Sequence, residues 1–295
     1  MQKKMKSLTL GVDIGGTKLN VGLVDAAGCL LYTHKSMIPA SKEPEMVLAD
    51  ISAGAEVCLS KTNQKAKALG IGVAAQVDRK GVVRGSPNLG WRNVPLKQKL
   101  EKKIGLPVVV INDVNAATWG EWRFGAGRGV DDLVVLFVGT GVGGGVITGG
   151  KLLTGCSNSG GELGHITIVS DGRKCHCPNR GCLEAYVGGW AIAERAQETI
   201  RTLSLEGRRL LALAGSISRV TAVTVSQAYR EGDLLARLLV EETGRYLAAG
   251  VASIVNAFNP CVLALGGGVI EGIPELIQIV KNIVPTMALE ASVEE

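Results

Sequence analysis

Two stretches of this chain share one design, and they restrict its fold more than any other feature. Residues 8–12 (LTLGV) are apolar, DIGGTK at 13–18 is a glycine turn, and LNVGLVD resumes the apolar pattern. Residues 133–138 (LVVLFV), GTGVGGG at 139–145 and VITGG at 146–150 repeat that order in the second half. Apolar runs on both sides of a glycine turn predict a β-hairpin, not a strand leading into a helix. A hairpin opening each half predicts two similarly built lobes, and a length of 295 residues fits two domains. The 40 glycines are clustered at such turns, which points to close backbone approach instead of a flexible polymer.

Between the hairpins, residues 45–61 have helical periodicity, 69–73 and 108–111 are short apolar strands, and 114–122 is rich in helix formers. The run Lys97–Lys103 reads as a solvated helix face. Further on, 183–200 reads as one helix and 233–258 as a long amphipathic one stopped by Pro260. Residues 261–265 return as a strand into Gly266, Gly267 and Gly268. Segment 203–223 is expected to be an irregular or partly helical insertion. Alternating strands and helices place the chain in the α/β class.

Gly139, Gly141 and Gly144 match the spacing of a dinucleotide-binding turn, but that motif needs a helix after it and Val146-Ile147-Thr148 continues as strand. A P-loop sequence is also missing. A hairpin can still hold phosphate, because glycines without Cβ atoms let backbone N–H groups converge on an anion. Gly15, Gly16 and Thr17 in the first turn and Gly139, Thr140 and Gly141 in the second offer that arrangement. Lys18 adds charge, and Asp13 is placed to hold Mg²⁺ through water. Asn112-Asp113 follows the strand at 108–111, where α/β folds bind ligands. Asp113 then reads either as the N-cap of the next helix or as an acid–base group.

Seven cysteines are an odd number, and Cys175, Cys177 and Cys182 crowd together. That pattern fits a metal site in a reducing compartment better than a disulfide framework. Tetrahedral Zn²⁺ takes four N or S ligands, and His165 or His176 can supply the fourth. His176 lies between two ligands, so its ring is expected to point outward. Glu162 and Glu184 flank this loop, as carboxylates for acid–base hydrolysis or for accepting hydrogen bonds from sugar hydroxyls.

Taken together, DIGGTK at 13–18, GTGVGGG at 139–145, GGELGH at 160–165 and CHCPNRGCLE at 175–184 resemble the ROK family (repressors, open reading frames, kinases). The resemblance runs from residue 8 to about 270 with the motifs in the family's order. It implies an actin-like ATPase (ribonuclease H-like) two-lobe α/β fold with a structural zinc loop at 165–184. One lobe is expected over 1–112 and the other over 113–295, with ATP in the cleft between them. It implies an ATP-dependent hexose kinase, with glucose converted to glucose 6-phosphate as the first expectation. N-acetylhexosamine or fructose kinases, and a sugar-responsive regulator without catalysis, are the alternatives. Asp113 is then the base, and Asn88, Asn112, Asp113, Glu162, His165 and Glu184 contact the sugar. Asp13, Gly15, Gly16, Thr17, Lys18, Gly139, Thr140 and Gly141 serve the phosphates, and Gly266, Gly267 and Gly268 lie by the adenosine. His165, Cys175, Cys177 and Cys182 hold Zn²⁺, with His165 facing the sugar through its second ring nitrogen. The family also implies a homodimer.

The sequence departs from the family at Pro178 and Ala75, where glycine is usual, and stops at ASVEE, where the family continues with a strand and a terminal helix. Those closing elements are therefore expected to be lacking. Winged-helix regulators of this body carry a DNA-binding module before the first hairpin, and only a short tail precedes Leu8 here, so nucleic acid is not expected as a partner. The net charge of +5 is not concentrated on one face. No membrane span or signal peptide is legible, and a cytoplasmic location is expected.

Overall fold

The computed structural model describes residues 7–62, 65–202 and 207–292. The chain divides into two compact units: residues up to Gly125 with Leu153–Gly160, and Ala126–Leu152 with the rest from Gly161.

In the first unit, β1 (Leu8–Ile14) turns into β2 (Lys18–Val24), followed by β3 (Leu30–Met37), α1 (Pro44–Leu59) and β4 (Ala66–Val73). Three short strands come next, β5 (Gln76–Val77), β6 (Val83–Ser86) and β7 (Trp91–Val94), then α2 (Leu96–Ile104), β8 (Val108–Asn112) and α3 (Asp113–Phe124). The main sheet has the order β3-β2-β1-β4-β8, and β5-β6-β7 form a small antiparallel sheet. β1 alternates strictly, burying Leu8, Leu10, Val12 and Ile14, which seats it on the core that α1 closes with Val47, Leu48 and Ile51. β1 and β2 pair antiparallel as the expected hairpin, whereas β4 runs parallel to β1 and β8 parallel to β4. The carboxyl ends of β1, β4 and β8 therefore share one edge of the sheet.

The second unit repeats this plan. β9 (Leu133–Val138) and β10 (Val142–Thr148) form an antiparallel hairpin, short β11 (Lys151–Leu152) extends it, and β12 (Val262–Gly266) runs parallel to β9. β9 is buried along nearly its whole length, as a central strand covered on both faces must be. The helices are α4 (Glu184–Val187), α5 (Gly189–Thr202), α6 (Arg208–Ala214), α7 (Ala222–Arg230), α8 (Leu234–Phe258), α9 (Gly268–Gly272) and α10 (Glu275–Ile283). Asp233 caps α8 by accepting the Ala236 N–H at 2.8 Å, and Asn259 ends it in the left-handed conformation at φ +41°. Among the described residues no helix is long and apolar enough to cross a membrane.

Two local readings change, and the partly helical insertion expected over 203–223 gains its detail. The break between units falls at Gly125, past the expected Asn112, because α3 packs back on β4 and β8 of the first sheet. The single helix expected over 183–200 is interrupted at Gly188, whose backbone is extended. There the N–H groups of Gly189 and Trp190 leave helical pairing and donate to Gly139 and Thr140 carbonyls at 2.8 and 3.1 Å. The insertion at 203–223 contains α6, a 3₁₀ turn at Ile217–Arg219 and the start of α7; residues 203–206 lie outside the described residues.

Candidate functional site

The predicted site residues of the first unit gather at the shared carboxyl edge of its sheet. Asp13 stands near the end of β1, and Asn112 closes β8, paired in register with Val73 at the end of β4. Asn112 is the N-cap of α3: its Oδ1 accepts the Asn115 N–H at 3.1 Å. Asp113 is thus the first helical residue, and the N-cap alternative falls to its neighbour. The Asn112 amide nitrogen reaches Asp113 Oδ1 at 3.0 Å and the Ala75 carbonyl at 3.4 Å. Asp113 Oδ1 also accepts the Val114 N–H at 3.0 Å, so both bonds converge on one oxygen. Burial pushes the Asp113 carboxyl above its ordinary range, and the Asp13 carboxylate adds to the rise; the Val114 N–H, the Asp113 backbone N–H and the Asn112 amide oppose it. Asn88 is exposed and packs by the hairpin, since a Cβ on Gly16 would sit 3.2 Å from the Asn88 Cβ. Lys42 fixes this loop by donating to the Asn88 carbonyl at 2.7 Å. Thr17 and Lys18 are exposed at the turn, and the Gly15 N–H closes it on the Lys18 carbonyl at 3.0 Å.

In the second unit the glycine hairpin and the C-terminal glycines meet at the carboxyl edge of β9 and β12, where Phe137 pairs with Gly266. A cavity of about 580 Å³ opens there, lined by Gly139, Thr140 and Gly268. Gly141, Gly266 and Gly267 are not in its wall. Gly267 has φ +95° and no room for a Cβ, which would lie 2.6 Å from the Val138 carbonyl oxygen. Sequence reasoning missed the opposite wall, built from Trp190 and Ala193 of α5 and from Val223, Gln227 and Arg230 of α7. Arg230 and Ser226 both donate to the Gly272 carbonyl, at 2.8 and 2.6 Å, and so fix the turn that closes the cavity.

The cysteine loop backs onto the same hairpin. Ligand atoms of His165, Cys175, Cys177 and Cys182 all lie within 4.8 Å of one another. Tetrahedral zinc with bonds of about 2.0–2.3 Å spaces its ligand atoms roughly 3.3–3.8 Å apart. The Cys177 and Cys182 sulfurs are 3.6 Å apart, and Cys175 Sγ is 3.7 Å from His165 Nδ1. These four residues therefore fit one tetrahedral ion. Without a cation, burial pushes the Cys175 thiol up to about 12, against the Cys177 N–H and with the neighbouring thiols adding to the rise. Pro178 is accommodated: the loop closes through the Cys175 N–H on the Asn179 carbonyl at 3.1 Å. Arg173 anchors the loop to α5 by two hydrogen bonds to Glu198, at 2.8 and 2.9 Å.

Glu162 is exposed just before the His165 turn. Glu184 is more constrained than expected. Its Oε2 accepts the Val142 N–H at 2.8 Å and its Oε1 takes the Trp190 indole N–H at 3.4 Å. A side chain at position 141 would collide with it, since a Cβ there lies 2.5 Å from Glu184 Oε2. Glycine at 141 thus makes room for a carboxylate that braces the hairpin.

The ROK family model matches residues 9–294. The chain belongs to the ROK family. It is 40% identical to a glucokinase of Streptomyces coelicolor over 88% of this chain and 82% of that one. A crystal structure of a ROK family glucokinase from Streptomyces griseus, in complex with glucose and AMPPNP, superposes with a TM-score of 0.80 at 38% identity, covering 96% of this chain and 90% of that one. A xylose repressor of Caldicellulosiruptor bescii is 31% identical over 87% of this chain but 65% of its own length. The α/β units described above are the ROK version of the actin-like ATPase fold.

Proposed function

We propose that this ROK protein is an ATP-dependent glucokinase, forming glucose 6-phosphate. The observation that carries the proposal is Asp113: a half-buried carboxylate with one oxygen anchored and a raised proton affinity, just past the end of β8. Such a group can take the proton of the attacking sugar hydroxyl. The relatives named glucokinase, one of them with glucose and AMPPNP bound, support the choice of substrates.

In this reading Asn112 orients the base, and Asn88, Glu162 and His165 accept or donate to sugar hydroxyls. Glu184 acts on the sugar side while bracing the donor hairpin. The cavity beside Gly139, Thr140 and Gly268 takes the nucleotide, and the exposed turn Gly15–Lys18 offers further donors to phosphate. Asp13 would hold Mg²⁺ through water; when bound, the ion neutralises charge on the donor phosphates. His165, Cys175, Cys177 and Cys182 would hold a structural Zn²⁺ with no open position, so its contribution is to fix the loop. Three thiolates at one metal favour a reducing compartment, in keeping with a cytoplasmic location, and the homodimer rests on the family resemblance alone. Similarity to xylose repressors supports a second reading, a sugar-responsive regulator that binds without turnover.

The deciding experiment is ADP release with Mg–ATP across a panel of hexoses and N-acetylhexosamines. Glucose should give the highest kcat/KM. Higher kcat/KM with an N-acetylhexosamine would reassign the acceptor, and no ADP from any sugar by the folded protein would sink the kinase in favour of the regulator.

A further inference from the structure

We propose that Trp190 is a positioning residue that ties the metal-ligating loop to the nucleotide cavity, with His176 as the contact that holds it; this rests on the kinase reading above. Trp190 lies in the first turn of α5, directly after the break at Gly188. Three contacts meet on it. Its backbone N–H donates to the Thr140 carbonyl of the glycine hairpin at 3.1 Å. Its indole N–H donates to Glu184 Oε1 at 3.4 Å, while Glu184 Oε2 takes the Val142 N–H of the same hairpin at 2.8 Å. Its ring lies on the His176 imidazole, with centroids 4.0 Å apart and planes 22° from parallel. The same side chain also lines the cavity beside Gly139 and Thr140.

His176 is not a ligand in this arrangement. It stands between Cys175 and Cys177, and the four ligand atoms come from its neighbours and from His165 and Cys182. An ion on those cysteines fixes the backbone on both sides of His176, and so fixes where the imidazole meets the indole. The indole in turn sets the Glu184 carboxylate, which holds the donor hairpin at Val142. The metal loop thus shapes the nucleotide wall without touching the nucleotide. An aromatic contact of this kind changes an affinity by roughly twofold to tenfold.

The test uses the full-length, zinc-loaded protein and its His176→Ala, His176→Phe and Trp190→Phe variants. Metal content is measured by mass spectrometry, and binding of a non-hydrolysable ATP analogue by calorimetry. KM values for ATP and glucose are measured separately. His176→Ala should keep the parent's zinc stoichiometry and glucose KM and weaken the analogue twofold to tenfold, with a matching rise in the ATP KM. His176→Phe keeps a flat ring on the indole and should restore most of that loss. Trp190→Phe keeps a ring but loses the N–H to Glu184, and should weaken the analogue with zinc retained. Stripping the metal from the parent should weaken the analogue more than stripping it from His176→Ala, because the link is already cut in the variant. Parent affinity in His176→Ala, or an equal loss in His176→Phe, overturns the proposal. A parent that binds the analogue but phosphorylates no sugar overturns only the kinase reading; a parent that does not bind the analogue overturns both.

Discussion

Replacing Asp113 with Asn separates chemistry from structure more cleanly than any other change at this site. The Asp113 Oδ1 accepts from the Val114 N–H and the Asn112 amide, both at 3.0 Å. An amide oxygen can accept both bonds, so Asp113→Asn keeps the start of α3 and puts an NH₂ where Oδ2 stood. That group donates and cannot take a proton from a hydroxyl. Loss of a positioned base costs roughly 10²–10⁴ in rate, or about 2.7–5.4 kcal/mol of barrier at ~1.36 kcal/mol per tenfold. The coupled ADP assay should show that fall in kcat, while calorimetry finds glucose binding within about threefold of the parent, a change of roughly 0.7 kcal/mol. Stability supplies an independent sign. The folded Asp113 carboxyl titrates above its unfolded value, chiefly because it is buried and then because Asp13 is near. A raised folded pKa means that the ionised group opposes folding. The penalty grows as pH rises through the unfolded pKa, is complete above the folded one, and is gone at pH values below both. Asp113→Asn should therefore melt higher than the parent at pH 7 and not at pH 3. The parent's acid limb in kcat/KM should also lie at higher pH than an ordinary carboxylate gives. Turnover at the parent rate by Asp113→Asn would refute the assignment of the base, and a lower melting point at pH 7 would refute the reasoning about its burial.

Three further outcomes follow from the second unit. Gly267→Ala forces a side chain into φ +95° and within 2.6 Å of the Val138 carbonyl oxygen, so it should cost roughly 1–3 kcal/mol in urea unfolding; an unchanged midpoint contradicts the strain argument. Ala193→Phe places a ring in the cavity wall and should weaken an ATP analogue at least about tenfold, roughly 1.4 kcal/mol, while glucose still binds; unchanged analogue affinity would remove the cavity as the nucleotide site. Removing the metal with a strong chelator should release about one zinc per chain and lower Tm by several degrees, as expected for a loss of about 2 kcal/mol. No metal in the purified protein, or no shift on chelation, contradicts the structural role.

What could be read from the sequence were features whose signal is local. Both glycine hairpins announce themselves because apolar runs flank residues that only a turn would use, and α8 does so through its stripe, its Asp233 cap and its Asn259 end. Strand β3 gave no such signal: most of its side chains are exposed, on both faces, so LLYTHKSM carries no alternation. The strands β5, β6 and β7 are too short to show a period. The wall of the cavity was illegible for a different reason. Trp190 and Ala193 of α5 and Val223, Gln227 and Arg230 of α7 become neighbours only when two helices converge on the hairpin. The break at Gly188 could have warned of this, since the paired glycines at 188 and 189 sit inside an otherwise helical run.

The departures from the family pattern are informative because of where their consequences stop. Ala75 stands where the family resemblance leads one to expect glycine, in the loop that supports Asp113, yet the residue is only 8% exposed and is not among those with positive φ. Alanine therefore fits the backbone there without strain, and its methyl group lies in the core of the first unit. What the loop offers the site is the Ala75 carbonyl, which takes the Asn112 amide at 3.4 Å, and the Ala74 carbonyl, which takes the Ser86 hydroxyl at 2.9 Å. Both are backbone groups that any residue would present. The substitution consequently leaves the support of Asp113 in place, and on the kinase reading proposed above an influence on the choice of sugar falls to side chains such as the exposed Asn88 beside the hairpin. On that reading Asn88, more than Ala75, is the position proposed to tune acceptor preference while the reaction stays the same.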